Sequence, residues 1–330
     1  MRRYKRTLVA VALATTVVTG TAGWASGTAQ RAVTGPPPGT AAWVAEGRPD
    51  PERATPAQVA AYFARLGPEE ARQLARRHPS VVGNLDGAPP ALRYAANADA
   101  LRRDGRFPAL ERERVLAFDP RGRGQFAVVL GDPDRSRHLA VLVPGSDVDA
   151  GRGGSVTDKA RALRAAAPDT AVIAWAGYTT PVGVGLDAAT GDLAEAGADR
   201  LARFAGGLAA TGAPTPSYFC HSYGSVVCGL AAHRLKAKDL VVFGSPGMRA
   251  DRAADLGTDA RVWAAKDATD WISKVPHVEF AGLGHGTDPT DPAFGARRVP
   301  AAGARGHDGY FAPGTDSLRT FAAIARGALK

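Results

Sequence analysis

Sulfur is scarce in this 330-residue chain, which has two cysteines and two methionines. No Cys/His spacing in it resembles a zinc site, so no metal is implied, and nothing points to an organic cofactor. Lysine is scarce too: seven of the 41 basic residues, a bias toward Arg and Ala that reads as genome composition rather than function. No block of Lys and Arg with interleaved aromatics occurs, so nucleic acid is not an implied partner. The apolar stretch 8–18 is interrupted by Thr15 and Thr16 and is short against the roughly 20 residues of a membrane-spanning helix.

That stretch has a different reading. Met1 to Arg6 carry four basic residues and no acid, the apolar run follows, and small residues gather around Gly23, Ala25, Gly27 and Ala29. This is the order of a secretory signal peptide, placed at 1–29, and it predicts a secreted protein; an uncleaved membrane anchor is the alternative. Removing the segment's four basic residues lowers the formal charge from +9 to +5, a mildly basic, solvated surface. Export would permit a disulfide. Cys220 sits at a strand end and Cys228 well into the following helix, however, so two buried thiols are expected.

Residues 30–40, with Pro36-Pro37-Pro38, read as a flexible linker. From 41 to 110 the pattern is helical. Thr55-Pro56 opens one helix, with Val59, Tyr62, Phe63 and Leu66 on one face, Gly67-Pro68 breaks it, Glu69-Glu70 starts a second, and 92–103 is a third. Those faces are too narrow to stand alone, so this extension is expected to pack on a main domain at 111–330. Between its helices, Asn84 and Asp86-Gly87 read as turn formers. From 114 onward short β runs appear at 115–118, 125–130, 139–143, 171–175, 217–220, 240–243 and 261–265. The first two form a hairpin. The later ones alternate with helical stretches at 157–166, 192–210 and 225–235, which predicts an α/β fold with a mostly parallel sheet covered by helices on both faces. Active sites in such sheets gather at the carboxyl ends of the strands.

The most telling stretch is 217–230. A strand-like run stops at His221-Ser222-Tyr223-Gly224 and a helix-like run follows at once. Strand, sharp turn and helix make a nucleophile elbow that exposes the Ser222 hydroxyl; the alternative is a helix whose Ser222 is only an N-cap. Gly224 fits because strand and helix backbones approach closely there. The Tyr223 N–H would lie at a helix N-terminus, facing a forming oxyanion. Cys220 stands where the usual Gly-x-Ser-x-Gly pattern has its first glycine.

The other strand ends supply partners. The 139–143 strand ends in Pro144-Gly145-Ser146, where the Ser146 N–H is a candidate second oxyanion donor or the loop is an ordinary turn. Tyr178 and Met248 follow later strands and could line a pocket or fill the core. After 261–265 come Asp267 and Asp270; Asp270, followed by an apolar pair, is preferred as the acid that orients a histidine, against a plain capping role. Of seven histidines, His78, His138 and His233 precede that acid, His221 points away from the hydroxyl, and His277 falls in an expected last strand. His285 and His307 remain, and position alone separates them weakly.

The set resembles a family of actinobacterial α/β-hydrolases of largely unassigned substrate. The resemblance rests on His221-Ser222-Tyr223-Gly224-Ser225, Trp175-x-Gly177-Tyr178, Gly244-Ser245-Pro246-Gly247, Asp270-Trp271-Ile272, the 284–295 segment, His307-x-x-Tyr310-Phe311 and Gly83-Asn84-Leu85-Asp86-Gly87, and spans 40–327. It implies the α/β-hydrolase fold and a Ser222, Asp270, His307 triad, with the base on the loop entering the last helix. The expectation is an exported serine hydrolase acting on a small-molecule or lipid carboxylic ester. Acyl transfer by the same residues, and a non-catalytic binding protein on the same scaffold, are the alternatives.

Overall fold

A computed structural model of the chain describes residues 29–280 and 282–329. Nearly all of the expected signal segment therefore lies outside the described residues. The chain begins with a helical leader: α1 (Thr40–Ala45), α2 (Pro56–Ala64), α3 (Pro68–Arg77), α4 (Pro79–Asn84), α5 (Pro90–Asp104) and α6 (Pro108–Glu111). Thr55 caps α2 with a full capping box to Gln58, as Ser/Thr-x-x-Gln patterns do. The turn expected around Asn84 is instead the end of α4, whose first residue is Pro79; proline's fixed φ suits that position.

The leader builds a small core of its own around Trp43, Phe63, Leu74 and Val82. It also covers the exposed edge of the sheet, which would otherwise invite foreign strands. Asn84 acts as a surrogate strand residue: its amide donates to the Phe118 carbonyl at 2.6 Å and accepts the Phe118 N–H at 3.1 Å. Asn97 donates to Val115 O at 3.2 Å and to Gly83 O at 3.0 Å. A Cβ on Gly83 would sit 2.1 Å from Asn97 Oδ1, which is why glycine occupies that place.

The main domain runs β1 (Val115–Asp119), β2 (Gln125–Leu130), β3 (His138–Val143), α7 (Gly154–Ala166), β4 (Thr170–Ala176), α8 (Leu186–Ala189), α9 (Asp192–Ala210), β5 (Ser217–His221), α10 (Gly224–Ala231), β6 (Asp239–Phe243), β7 (Arg261–Ala265), β8 (Glu279–Phe280), β9 (Leu283–Gly284), β10 (Arg297–Arg298) and α11 (Asp316–Ala325). The eight-stranded sheet has the order β1-β2-β4-β3-β5-β6-β7-β10. β2 is antiparallel to both its neighbours, and the pairs from β4 through β10 are parallel. Side chains alternate across it: Leu142, Phe219 and Phe243 face α7 and α11, whereas Val141, Tyr218 and Val242 face α9 and α10. This is the α/β-hydrolase fold, with the helical leader preceding the sheet.

Two expectations need correction. The stretch around His277 is not the last strand of the sheet: among the described residues β8 pairs with β9 alone, in a separate hairpin, and the edge strand is the two-residue β10, too short for any periodicity to reveal. Within the 30–40 stretch, expected to be a flexible linker, several residues bond to the main domain. Gln30 donates to Thr180 O and accepts from Val182 N–H, Val33 N–H donates to Thr179 Oγ1, and Arg121 holds the carbonyls of Thr34 and Gly35. The cysteines, expected as free thiols, are bonded: Cys220–Cys228 has a Cα–Cα distance of 6.5 Å. Both face the layer between β5 and α10, and the elbow folds the helix back over its own strand, so chain separation overstates their distance.

Candidate active site

Ser222 follows β5 directly and sits at φ 53°, in the left-handed region that a non-glycine residue occupies only when its surroundings hold it there. They do so from three sides. The Ser222 N–H donates to Phe243 O at 3.1 Å, its carbonyl accepts Ser225 Oγ–H at 2.6 Å, and Ser225 Oγ lies 2.6 Å from the buried Ser245 Oγ. Gly224 is required, though not by its own strand: a Cβ there would lie 2.5 Å from the carbonyl oxygens of Val143 and Pro144, at the end of β3. The loop after β3 therefore runs alongside the elbow, and Tyr178, buried against Trp175, fixes it by donating to Pro144 O at 2.7 Å. Met248 is likewise buried, against Gly229. The backbone N–H groups of Tyr223 and Ser146 donate to no described backbone carbonyl.

Asp270 and His307 meet although 37 residues separate them: His307 Nδ1 lies 2.8 Å from Asp270 Oδ1. Asp270 also caps the short turn Trp271–Lys274, accepting Ile272 N–H at 2.9 Å, so the capping role and the histidine contact coexist on one oxygen. Its other oxygen accepts Tyr310 O–H at 2.6 Å. Burial works to raise the Asp270 carboxyl, but the hydrogen bonds from His307, Tyr310 and Ile272 outweigh it and hold the group below the usual carboxylate range. Burial and the adjacent carboxylate push the Tyr310 phenol up, so it stays a donor. Gly244, at φ 57°, lies against this pair: a Cβ there would be 3.0 Å from both Asp270 Oδ2 and His307 Cε1.

Ser222 and His307 line one cleft of about 350 Å³, together with Ser146, Val184, Trp271 and His221. His307 Nε2 is buried and has no hydrogen-bond partner among the described residues; the bond to the Ser222 hydroxyl is not made. Contacts of this kind commonly tighten only with substrate bound. The remaining candidates lie elsewhere. Asp267 turns its carboxylate to Thr269, and His285 is buried against Tyr223 with Nε2 2.7 Å from Ala188 O. A larger cavity of about 690 Å³ opens between the leader and α9, but it contains neither Ser222 nor His307. Among the described residues, no group of three or more His, Cys, Asp or Glu is placed to hold a metal ion.

Sequence reasoning passed over His221, Tyr310 and Gly244 as parts of this site. Tyr310 and Gly244 were visible as members of motifs, but no local rule assigns a phenol three residues past a histidine to a distant carboxylate. The buried histidines have a further consequence. Burial holds His221 and His285 below the ordinary histidine value. The unfolded chain, titrating near about 6.5, takes up protons before the native fold does, so their stabilising effect is full above that value and is lost as pH falls below it. The melting temperature is expected to decline progressively from about pH 6.5 toward pH 5. A level or rising melting temperature over that interval would contradict the assignment.

Parts of the chain are similar to known proteins. Residues 119–280 match the alpha/beta hydrolase family model. An uncharacterised protein of Mycobacterium tuberculosis is 29% identical over 385 aligned positions, covering 88% of this chain and 56% of its own length. A second from the same organism is 33% identical over 43% of this chain and 59% of its own. The chain thus spans little more than half the length of these relatives. Among solved structures, esterase PE8 is similar at TM-score 0.45 and 20% identity, over 62% of this chain and 99% of its own. A CIB-like hydrolase from Thermoplasma acidophilum is similar at 0.42 and 15%, over 66% and 96%.

Proposed function

We propose that this chain, an α/β-hydrolase by its fold and by the family match over 119–280, is an exported serine hydrolase that cleaves carboxylic esters through an acyl-enzyme on Ser222. One observation carries the reading: a histidine ring held by a buried carboxylate at 2.8 Å presents an unpartnered Nε2 in the same cleft as a serine held in a left-handed turn. His307 Nε2 takes the Ser222 proton as Oγ attacks the ester carbonyl, and the N–H groups of Tyr223 and Ser146 receive the oxyanion. His307 returns that proton to the departing alcohol. It then deprotonates a water that releases the acid and restores the serine. Asp270, itself held by Tyr310, keeps Nδ1 protonated and steadies the imidazolium.

Val182, Val184, Leu186 and Trp271 are exposed in the segments that follow β4 and β7, and Val184 and Trp271 line the cleft; this favours an apolar ester, lipid esters included. The Cys220–Cys228 disulfide supports export, because such bonds persist in oxidising compartments. The test is a fluorophosphonate probe combined with p-nitrophenyl esters of graded chain length. Wild type is expected to label and to turn over; Ser222→Ala is expected to do neither. Equal labelling of Ser222→Ala, or no labelling of wild type, would sink the reading. Added alcohol that captures most of the acyl group would recast the protein as an acyltransferase.

A further inference from the structure

The residue before Ser222 is tied to the residue taken as its base. The strand parity that turns Cys220 toward α10 sends the His221 side chain to the opposite face, among Phe219 and Phe243. There it stacks on Phe243, with centroids 4.9 Å apart and planes at 18°. Its Nε2 lies 2.8 Å from the His307 main-chain carbonyl, 86 residues away. A carbonyl only accepts, so Nε2 carries the proton and Nδ1 the lone pair. The charged or titratable neighbours are His307, Lys159 and Asp308, and Lys159 and Asp308 pair with each other at 2.8 Å. Burial, followed by the charge of His307, keeps the His221 ring neutral.

His307 is therefore gripped twice. Asp270 holds its ring, and His221 holds its backbone. Its ring also lies between those of His221 and Trp271, 4.6 Å from each centroid. The loop bearing His307 has few other ties near that point: Gly306 N–H to Thr269 Oγ1 at 2.8 Å, and Asp308 to Lys159. Because His221 is covalently joined to Ser222, its hydrogen bond spans the gap between the strand that carries the hydroxyl and the loop that carries the imidazole.

We propose that His221 is a positioning residue: its Nε2–H clamps the His307 carbonyl and so sets the separation between His307 Nε2 and Ser222 Oγ. The proposal rests on the hydrolase reading above and concerns a residue that takes no part in the proton transfers. Misplacement of a reacting group by an ångström can cost about 10²-fold in rate.

Two variants and one spectrum test it. His221→Phe keeps the stack on Phe243 and removes the donor; His221→Gln restores an N–H near the Nε2 position. For His221→Phe, kcat and the fluorophosphonate labelling rate are expected to fall together by roughly 10- to 100-fold, with KM within about twofold of wild type, and His221→Gln to recover most of the loss. Unchanged kcat in a folded His221→Phe, or equal losses in both variants, would overturn the clamp. If His221→Phe does not fold, ¹⁵N-histidine NMR of the unmutated chain decides. The His221 ring should be the neutral Nε2–H tautomer with a slowly exchanging proton at neutral pH; an Nδ1–H tautomer or an imidazolium would overturn it. The two readings fail separately. A wild type without turnover or labelling sinks the hydrolase, whereas an active wild type with an indifferent His221→Phe sinks only the clamp.

Discussion

Asp270→Asn is expected to lower kcat by about 10⁴-fold while leaving the chain folded and KM within a few-fold of wild type. The reason is directional. Asp270 offers His307 Nδ1 an acceptor that cannot donate, so the ring's other nitrogen keeps its lone pair for the Ser222 proton. An asparagine has the same shape, but its amide can place an N–H against Nδ1. The proton then moves to Nε2, and the base faces the serine as a donor. The Tyr310 O–H can still donate to the amide oxygen, whereas the Ile272 N–H shares its acceptor with His307 and loses it; a lost cap of this kind costs about 1 kcal/mol, which is why the fold should survive. Circular dichroism and a melting curve check the fold, and steady-state kinetics on an activated ester check the rate. A loss smaller than tenfold would mean that this carboxylate does not orient the base.

Gly145→Ala is expected to reduce kcat/KM by about 10²- to 10³-fold, the scale of losing one oxyanion donor. A Cβ at 145 would lie 2.6 Å from the Ser222 Cβ, 3.0 Å from Oγ and 3.1 Å from His221 O. None of these atoms can yield cheaply. The serine is fixed by its left-handed backbone and its bond to Phe243 O, and the loop by the hydrogen bond from Tyr178 to Pro144 O. The loop must move away from the serine, taking the Ser146 N–H with it. Because the strain falls on the loop rather than the core, the melting temperature should drop only a few degrees for about 1–2 kcal/mol of overpacking. A Gly145→Ala protein with wild-type kinetics would show that this loop does not supply the donor.

These two expectations draw on different depths of the sequence. The turn at Ser222 was legible because its signature is local: an apolar run, a small set of turn residues, Gly224, and a helix-forming run immediately after. The capping position of Asp270 was legible for the same reason. Even there the contact that makes Gly224 necessary comes from Val143 and Pro144, a neighbouring strand about 80 residues earlier in the chain. Nothing around Gly224 announces that. The histidine was harder. His285 and His307 both sit among glycines beyond the acid, and residue pattern alone left them level. The sheet separates them: Asp270, after β7, meets His307 on the loop before α11, while His285, after the β8–β9 hairpin, is buried against the Tyr223 ring and Ala188 O. In the leader, Asp86-Gly87 forms the turn its residues favour, but Asn84 instead closes α4, for which Pro79 at the first position is the stronger signal.

The primary structure determined what depends on a few consecutive residues: alternating strands and helices, the capping of α2, the sharp turn that exposes a serine, and the parity that faces Cys220 and His221 in opposite directions. Backbone sterics and short-range hydrogen bonds act there, and they carry their signature in the residues involved. Tertiary structure decided which distant groups meet: Asp270 with His307, Tyr310 with Asp270, His221 with the His307 carbonyl, and Cys220 with Cys228. Those distances follow from strand order and from how each helix returns over the sheet. They are properties of the packed core as a whole, and no window of the chain contains them.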